Sequence, residues 1–257
     1  MAAVVPGKRY GLRRNFVSRR ILIIAMVFAC AGFAAAVAAT RASAGSSAPT
    51  KVETVFPAAG SLLVHSVGVR TTPNPHSKVI KVMHDFRADF RPQEMFAVGE
   101  QTGADGNAWY HVSIPMRPNG MYGWVPASTV SLAPTKGQIK ISLNRRTIDL
   151  YWKGKHVWHG KVAIGAPGRE TPLGKYFVAA RFVPYHDPFL GIFAVETSAY
   201  SKLTEWPGGG VVGIHGTSLP QLLGQAVSHG CVRVSNTTAL ALQRLIPLGT
   251  PISIVAD

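Results

Sequence analysis

Cysteine is nearly missing from this chain: there are two in 257 residues, Cys30 and Cys231. Cys30 lies inside an apolar run near the N-terminus, so Cys231 is the one cysteine left for the body of the protein. That excludes an intrachain disulfide framework and the multi-cysteine spacings of structural zinc sites. Acid is scarce as well, with 12 Asp and Glu against 27 Lys and Arg. Residues 1–44 hold Lys8, Arg9, Arg13, Arg14, Arg19, Arg20 and Arg41 and no acid; without them 20 basic residues face 12 acidic ones. The remaining excess is spread out, and the lack of a Lys/Arg block argues against a nucleic-acid arm. A diffuse cationic surface suits anionic envelope polymers as well as it serves plain solubility. Sustained helical periodicity is also lacking outside the N-terminal run, and no internal repeat is visible. With 26 Gly and 18 Pro, the chain is instead rich in turn formers. The reading is a mainly β protein.

The N-terminus has the three parts of an export signal. A basic stretch, Lys8 to Arg20, precedes the apolar run Ile21 to Ala39, and Ala42-Ser43-Ala44 offers a small-x-small cleavage site. Arg13-Arg14 leaves a twin-arginine route open, and the apolar run is long enough to leave an uncleaved signal-anchor open too. Either way the basic flank stays cytoplasmic and the rest faces outward, with membrane contact only through this segment. The expectation is an exported, cell-envelope protein, with residues 1–44 as signal or anchor and 45–60 as a linker.

Short β-like segments follow: Leu62–Val69, Val79–Met83, Met95–Gly99, Trp109–Ile114 and Tyr122–Val125. Val67-Gly68-Val69-Arg70-Thr71-Thr72-Pro73 resembles the opening strand of a bacterial SH3-like domain. Trp109-Tyr110-His111-Val112 and Gly120-Met121-Tyr122-Gly123-Trp124-Val125 resemble its later strands. The resemblance implies a small barrel over residues 61–133, a wall-binding or spacer module. Ala133-Pro134-Thr135-Lys136-Gly137 punctuates the chain, and a second domain is expected over 137–257. There Ile139–Leu143 and Thr147–Trp152 flank a turn at Asn144-Arg145-Arg146, and Gly154-Lys155 marks a second hairpin. Val162–Ile164 and Tyr176–Ala180 continue the sheet, and Pro251–Val255 closes it. The one good helix is Asn236 to Leu245, capped by Ser235 or Asn236.

Chemistry concentrates in 19 residues holding His215, Gly216, Ser228, His229, Gly230, Cys231 and Arg233. A free thiol has a pKa of about 8.5, so near neutral pH it needs a base. An imidazole can take its proton and later return it to a leaving amine, which gives acyl transfer through a thioester. Gly230 permits a sharp turn and leaves backbone N–H groups near Cys231 open to an oxyanion. Arg233 can hold a carboxylate or stabilise a thiolate. Ser228 can orient His229 or cap the turn. Adjacent side chains on an extended segment point to opposite faces, so His229 is the weaker base candidate and His215 the stronger. A Cys/His metal site would need further ligands at short spacing. The other histidines (His65, His76, His84, His111, His156, His159 and His186) are scattered in sequence, so no metal and no cofactor is expected.

Ser228-His229-Gly230-Cys231-Val232-Arg233, preceded by His215-Gly216, resembles the signature of the L,D-transpeptidase (YkuD-like) catalytic domain. Arg145-Arg146, Val162–Gly165, Thr171-Pro172-Leu173-Gly174-Lys175-Tyr176 and Pro247–Ile252 extend the likeness to about Gln138–Val255. Two departures are a short spacer from His215 to Ser228 and a valine at position 234. The resemblance implies a β-sandwich with one or two short helices, Cys231 as nucleophile and His215 as proton acceptor and donor. It implies that Gly216 orients His215 through its carbonyl, with His229 and Gly230 as further orienting or oxyanion groups and Ser228 and Arg233 as substrate contacts. The implied substrates are peptidoglycan stem peptides, cross-linked through a thioester, and the implied inhibitors are carbapenem β-lactams. With water as acceptor the same site would be an L,D-carboxypeptidase, and with a protein amine a protein-to-wall ligase.

Rival classes fit less well. An NlpC/P60-type peptidase places its Cys before its His, the reverse of His215 and Cys231. A sortase lacks the Ser-His-Gly-Cys text and spaces its Arg farther from the Cys. A non-catalytic wall-binding protein would have no use for both Cys231 and His215.

Overall fold

The computed structural model describes residues 54–185, 187–205 and 207–257. The stretch read as signal or anchor, 1–44, and the part of the stretch read as linker up to residue 53 lie outside them. Among the described residues, no helix is long and apolar enough to cross a membrane.

Seven short strands form the first sheet: β1 (Ala58–Leu62), β2 (Ser66–Arg70), β3 (Val79–His84), β4 (Glu94–Thr102), β5 (Ala108–Ser113), β6 (Tyr122–Pro126) and β7 (Val130–Pro134). Their order is β3-β2-β6-β5-β4-β1-β7. Alternate residues turn inward and bury a core that includes Val67, Val69, Met83, Met95, Val112 and Val125. Trp109 belongs to the interior, with its indole N–H donating to Asp105 across the turn at 2.9 Å. Two boundaries differ from the sequence reading. The first strand starts at Ala58, inside the stretch read as linker, because it pairs with both β4 and β7. The single strand read over Leu62–Val69 is two strands, because the chain changes partners between them and leaves Leu63 exposed.

Nine strands and a helix follow: β8 (Gly137–Ser142), β9 (Thr147–Trp152), β10 (Lys155–Gly165), β11 (Gly174–Phe182), β12 (Ala194–Tyr200), β13 (Val211–His215), β14 (Ala226–Ser228), β15 (Val232–Val234), α1 (Asn236–Leu245) and β16 (Pro251–Val255). The order is β14-β10-β15-β13-β12-β11-β16-β8-β9, and β9 also pairs with β10. The expected sandwich is thus closed on itself. The 11-residue β10 is long enough to serve three neighbours: Lys155–Lys161 pairs with β9, Val162 and Ala163 pair with β15, and Ile164 and Gly165 pair with β14. Inside lie Ile139, Ile141, Ile148, Leu150, Ile214, Leu242 and Ile254, all essentially inaccessible. The helix starts where expected because the Ser235 hydroxyl accepts from the Thr238 N–H at 3.0 Å. It buries Thr238, Ala239, Ala241 and Leu242 and leaves Leu240 more than a third exposed. The second hairpin turns one residue earlier than read, at Lys153-Gly154, where both residues have positive φ (48° and 76°).

The two sheets meet where β12 runs. Phe96 stacks on Phe177 with centroids 5.0 Å apart. Arg87 and Arg91 both pair with Glu196 of β12. The Asn119 amide donates to the Tyr200 carbonyl and accepts from its N–H, at 2.8 and 2.9 Å. Arg117 donates to the carbonyls of Ser201 and Gly209, which lie in the loop leading into β13. In this way the first sheet braces the backbone that delivers His215.

Candidate active site

Parallel pairing of β13 with β15 sets His215 opposite Arg233 and Ile214 opposite Val232. The segment Ser228–Cys231 turns tightly just before β15. Ser228 holds that turn: its hydroxyl donates to the Cys231 carbonyl at 2.5 Å and accepts from the Gly230 N–H at 3.1 Å. Gly230 sits at φ 115°, and a Cβ there would stand 2.8 Å from the Ser201 Cβ. Thr171 ties the turn to β10, donating to the Gly230 carbonyl and accepting from the Gly165 N–H, both at 2.9 Å.

Cys231 and His215 open into one cavity of about 270 Å³, shared with Phe182, Asp187, Glu196 and Gly213. The Gly213 N–H donates to the Cys231 Sγ at 3.3 Å. A Cβ built on Gly213 would lie 3.8 Å from both that sulfur and the His215 Cδ2. Thiol and imidazole therefore flank the bare face of Gly213, a residue the sequence reading passed over. Its signal was present one residue before Ile214-His215, but only the strand pairing shows what the missing side chain leaves open.

The tautomer of His215 follows from its partner. Nδ1 lies 2.7 Å from the Gly216 carbonyl, and a carbonyl can only accept. Nδ1 therefore carries the proton, and Nε2 is left basic. A Cβ at Gly216 would stand 2.3 Å from the Asn236 Oδ1, so a larger residue there would displace the Asn236 side chain. His215 is 2% exposed. Burial drives its pKa down to about 4, with the Arg233 charge acting in the same sense and the Gly216 bond and Asp187 carboxylate opposing. Burial also pushes the Cys231 thiol up, against the Gly213 amide and the Arg233 charge, which pull it down.

Arg233 is 6% exposed, and its guanidinium lies over the Phe189 ring, 4.5 Å from the centroid. Its Nε is buried without a hydrogen-bond partner. Phe189 is placed by a 3-10 turn, Pro188–Leu190, which Asp187 caps by accepting from the Phe189 N–H at 3.0 Å. His229, within the turn, is partly exposed. Burial, then Arg169 and Arg233, depress its pKa. Glu196, a second residue not singled out from sequence, lines the cavity while held by the two arginines of the first sheet.

The resting pair is thus a neutral thiol beside a neutral imidazole. A thiol raised by burial gains thiolate only as pH climbs past the ordinary thiol range. The rate of Cys231 alkylation by iodoacetamide is accordingly expected to rise about tenfold per pH unit from pH 6 to 8. A plateau below pH 8, followed through loss of the alkylatable peptide, would show a preformed thiolate–imidazolium pair instead.

Residues 136–254 match the family model for YkuD, the L,D-transpeptidase catalytic domain. Over 117 residues the chain is 34% identical to a putative L,D-transpeptidase YkuD of Bacillus licheniformis, covering 46% of this chain and 64% of that protein. The chain thus spans just under two thirds of the curated relatives that it matches at that level. Among solved structures, an L,D-transpeptidase from Mycobacterium tuberculosis H37Rv aligns with a TM-score of 0.42 and 16% identity, over 79% of this chain and 99% of that one. The L,D-transpeptidase LdtMt1 in complex with imipenem aligns with a TM-score of 0.39 and 15% identity, over 61% and 99%.

Proposed function

We propose that this protein, whose residues 136–254 match the family model for YkuD, the L,D-transpeptidase catalytic domain, is a cysteine acyltransferase forming peptidoglycan cross-links outside the cytoplasm. The observation that carries the reading is the shared cavity of Cys231 and His215, with the His215 tautomer set by Gly216.

The reaction runs in two halves. Cys231 attacks an amide carbonyl of a tetrapeptide stem while its thiol proton passes to His215 Nε2. The Gly213 N–H, already directed at the sulfur, stabilises the developing thiolate. The carbon–nitrogen bond then breaks, and His215 returns the proton to the departing D-alanine amine. The stem remains as a thioester on Cys231. A neighbouring stem's side-chain amine attacks that carbonyl and gives its proton to His215; the carbon–sulfur bond breaks, and His215 passes the proton to the departing sulfur, which leaves a new amide bond and the free thiol. No cofactor enters either half.

Arg233 is the substrate-carboxylate candidate, supported by a buried charge with an unpartnered Nε. Ser228 and Gly230 are assigned to the turn that presents Cys231, because the Ser228 hydroxyl already serves two backbone groups. His229 is assigned a supporting position beside that turn. The first sheet is proposed as an SH3-like spacer or wall-binding module spanning roughly 61–133, and the diffuse positive charge fits anionic wall polymers. Export through the N-terminal segment would bring the site to this substrate.

Incubation of the chain with disaccharide-tetrapeptides, read by mass spectrometry, tests the reaction. Dimers less one D-alanine are the expected products. Tripeptide alone would mean that water is the acceptor, and unchanged substrate would remove the transpeptidase reading. A carbapenem is expected to add once per chain at Cys231, because β-lactam opening forms the same acyl–sulfur bond without releasing a separate leaving group. Peptide mapping of the adduct to another residue would overturn the cysteine mechanism.

A further inference from the structure

Histidines that are scattered in sequence come together on the hairpin of β9 and β10. In an unbroken strand, His156 and His159 are three residues apart and would face opposite sides. The pairing register shows why they do not: His156 stands opposite Tyr151 and His159 opposite Asp149, with one extra residue accommodated between His156 and Trp158. That bulge resets the alternation, so both imidazoles share the face that carries Asp149 and Tyr151. His156 Nε2 and His159 Nδ1 each lie 2.8 Å from the same oxygen, Oδ1 of Asp149. The three atoms lie within 4.8 Å of one another.

We propose that Asp149, His156 and His159 form a surface site for a borderline divalent transition ion of the zinc class. Two imidazole nitrogens and one carboxylate oxygen are the donor set such ions favour, and water completes the coordination. The ligand atoms converge already, so binding needs only small ring movements to exchange two hydrogen bonds for coordinate bonds. Access is open, with the His156 and His159 side chains 49% and 57% exposed and Asp149 19%. Tyr151 packs on His156, with ring centroids 5.2 Å apart, and limits the swing of that imidazole. The ion would cross-link β9 to β10, the strand that closes the sandwich. It is independent of Cys231, which contributes no ligand.

Calorimetric titration of the full chain with zinc chloride tests the site, in a Cys231→Ala background so that the thiol cannot bind the ion. One ion per chain is expected, with a Kd below ~0.1 mM. His156→Ala and His159→Ala should each weaken binding at least about tenfold, whereas His65→Ala, at the exposed His65–Asp85 pair of the first sheet, should leave it unchanged. Amide exchange in 147–161 should slow with zinc in the parent and not in Asp149→Asn, which retains an oxygen but loses the charge. Binding that survives both histidine substitutions, or none below ~0.1 mM, overturns the proposal; His156 and His159 would then be satisfied by Asp149 and solvent alone.

Discussion

Replacing Cys231 with serine is expected to leave no measurable release of D-alanine from tetrapeptide stems. Loss of a catalytic nucleophile costs on the order of 10⁶-fold in a well-studied hydrolase, and this site gives an alcohol little help. His215, with a pKa of about 4, is a weak base. A thiol, even one raised by burial, yields its proton far more readily than a hydroxyl. The Gly213 N–H sits 3.3 Å from the atom at this position, a contact suited to a developing thiolate. Turnover should be followed by mass spectrometry beside a circular dichroism spectrum. A folded Cys231→Ser protein retaining a tenth of the parent rate would remove Cys231 from its role.

His215→Ala is expected to slow acylation ~10²–10⁴-fold, the usual range for a general base, while His229→Ala costs much less. The two histidines differ in surroundings rather than in distance along the chain. His215 is enclosed, lines the cavity with Cys231, and has its tautomer set by Gly216. His229 lies partly exposed on the turn that Ser228 holds. Single-turnover acylation by a carbapenem, monitored by intact mass, separates this step from acceptor attack. If well-folded His229→Ala proved the more damaging change, the roles would have to be exchanged. Burial of a neutral His215 also means that His215→Ala leaves a cavity, so thermal unfolding of each variant belongs beside the kinetics.

Much of the site was legible in one dimension because its chemistry is local. Ser228 to Arg233 is a single turn and strand, and a tight turn needs its glycine and its hydroxyl close in sequence. The helix was legible for the same reason, since Ser235 caps it through a partner three residues on. Mainly β character followed from alternation and turn residues, and the scarcity of cysteine directed attention to Cys231. Long-range pairing was not legible. Alternation cannot report that β10 serves three partners, that β1 begins in an apparent linker, or that Leu62–Val69 changes partner midway. Nor can it report a bulge, and the one near Val157 is what gathers His156 and His159 onto Asp149. Glu196 and Gly213 became part of the site only through tertiary structure. One is held in place by arginines over 100 residues earlier, and the other matters for the side chain it lacks. The sequence by itself determined the β class and singled out Cys231 and His215 as the candidate reacting groups. Which groups meet, and with what proton on which nitrogen, depended on strand register and burial, which join residues that the chain keeps far apart.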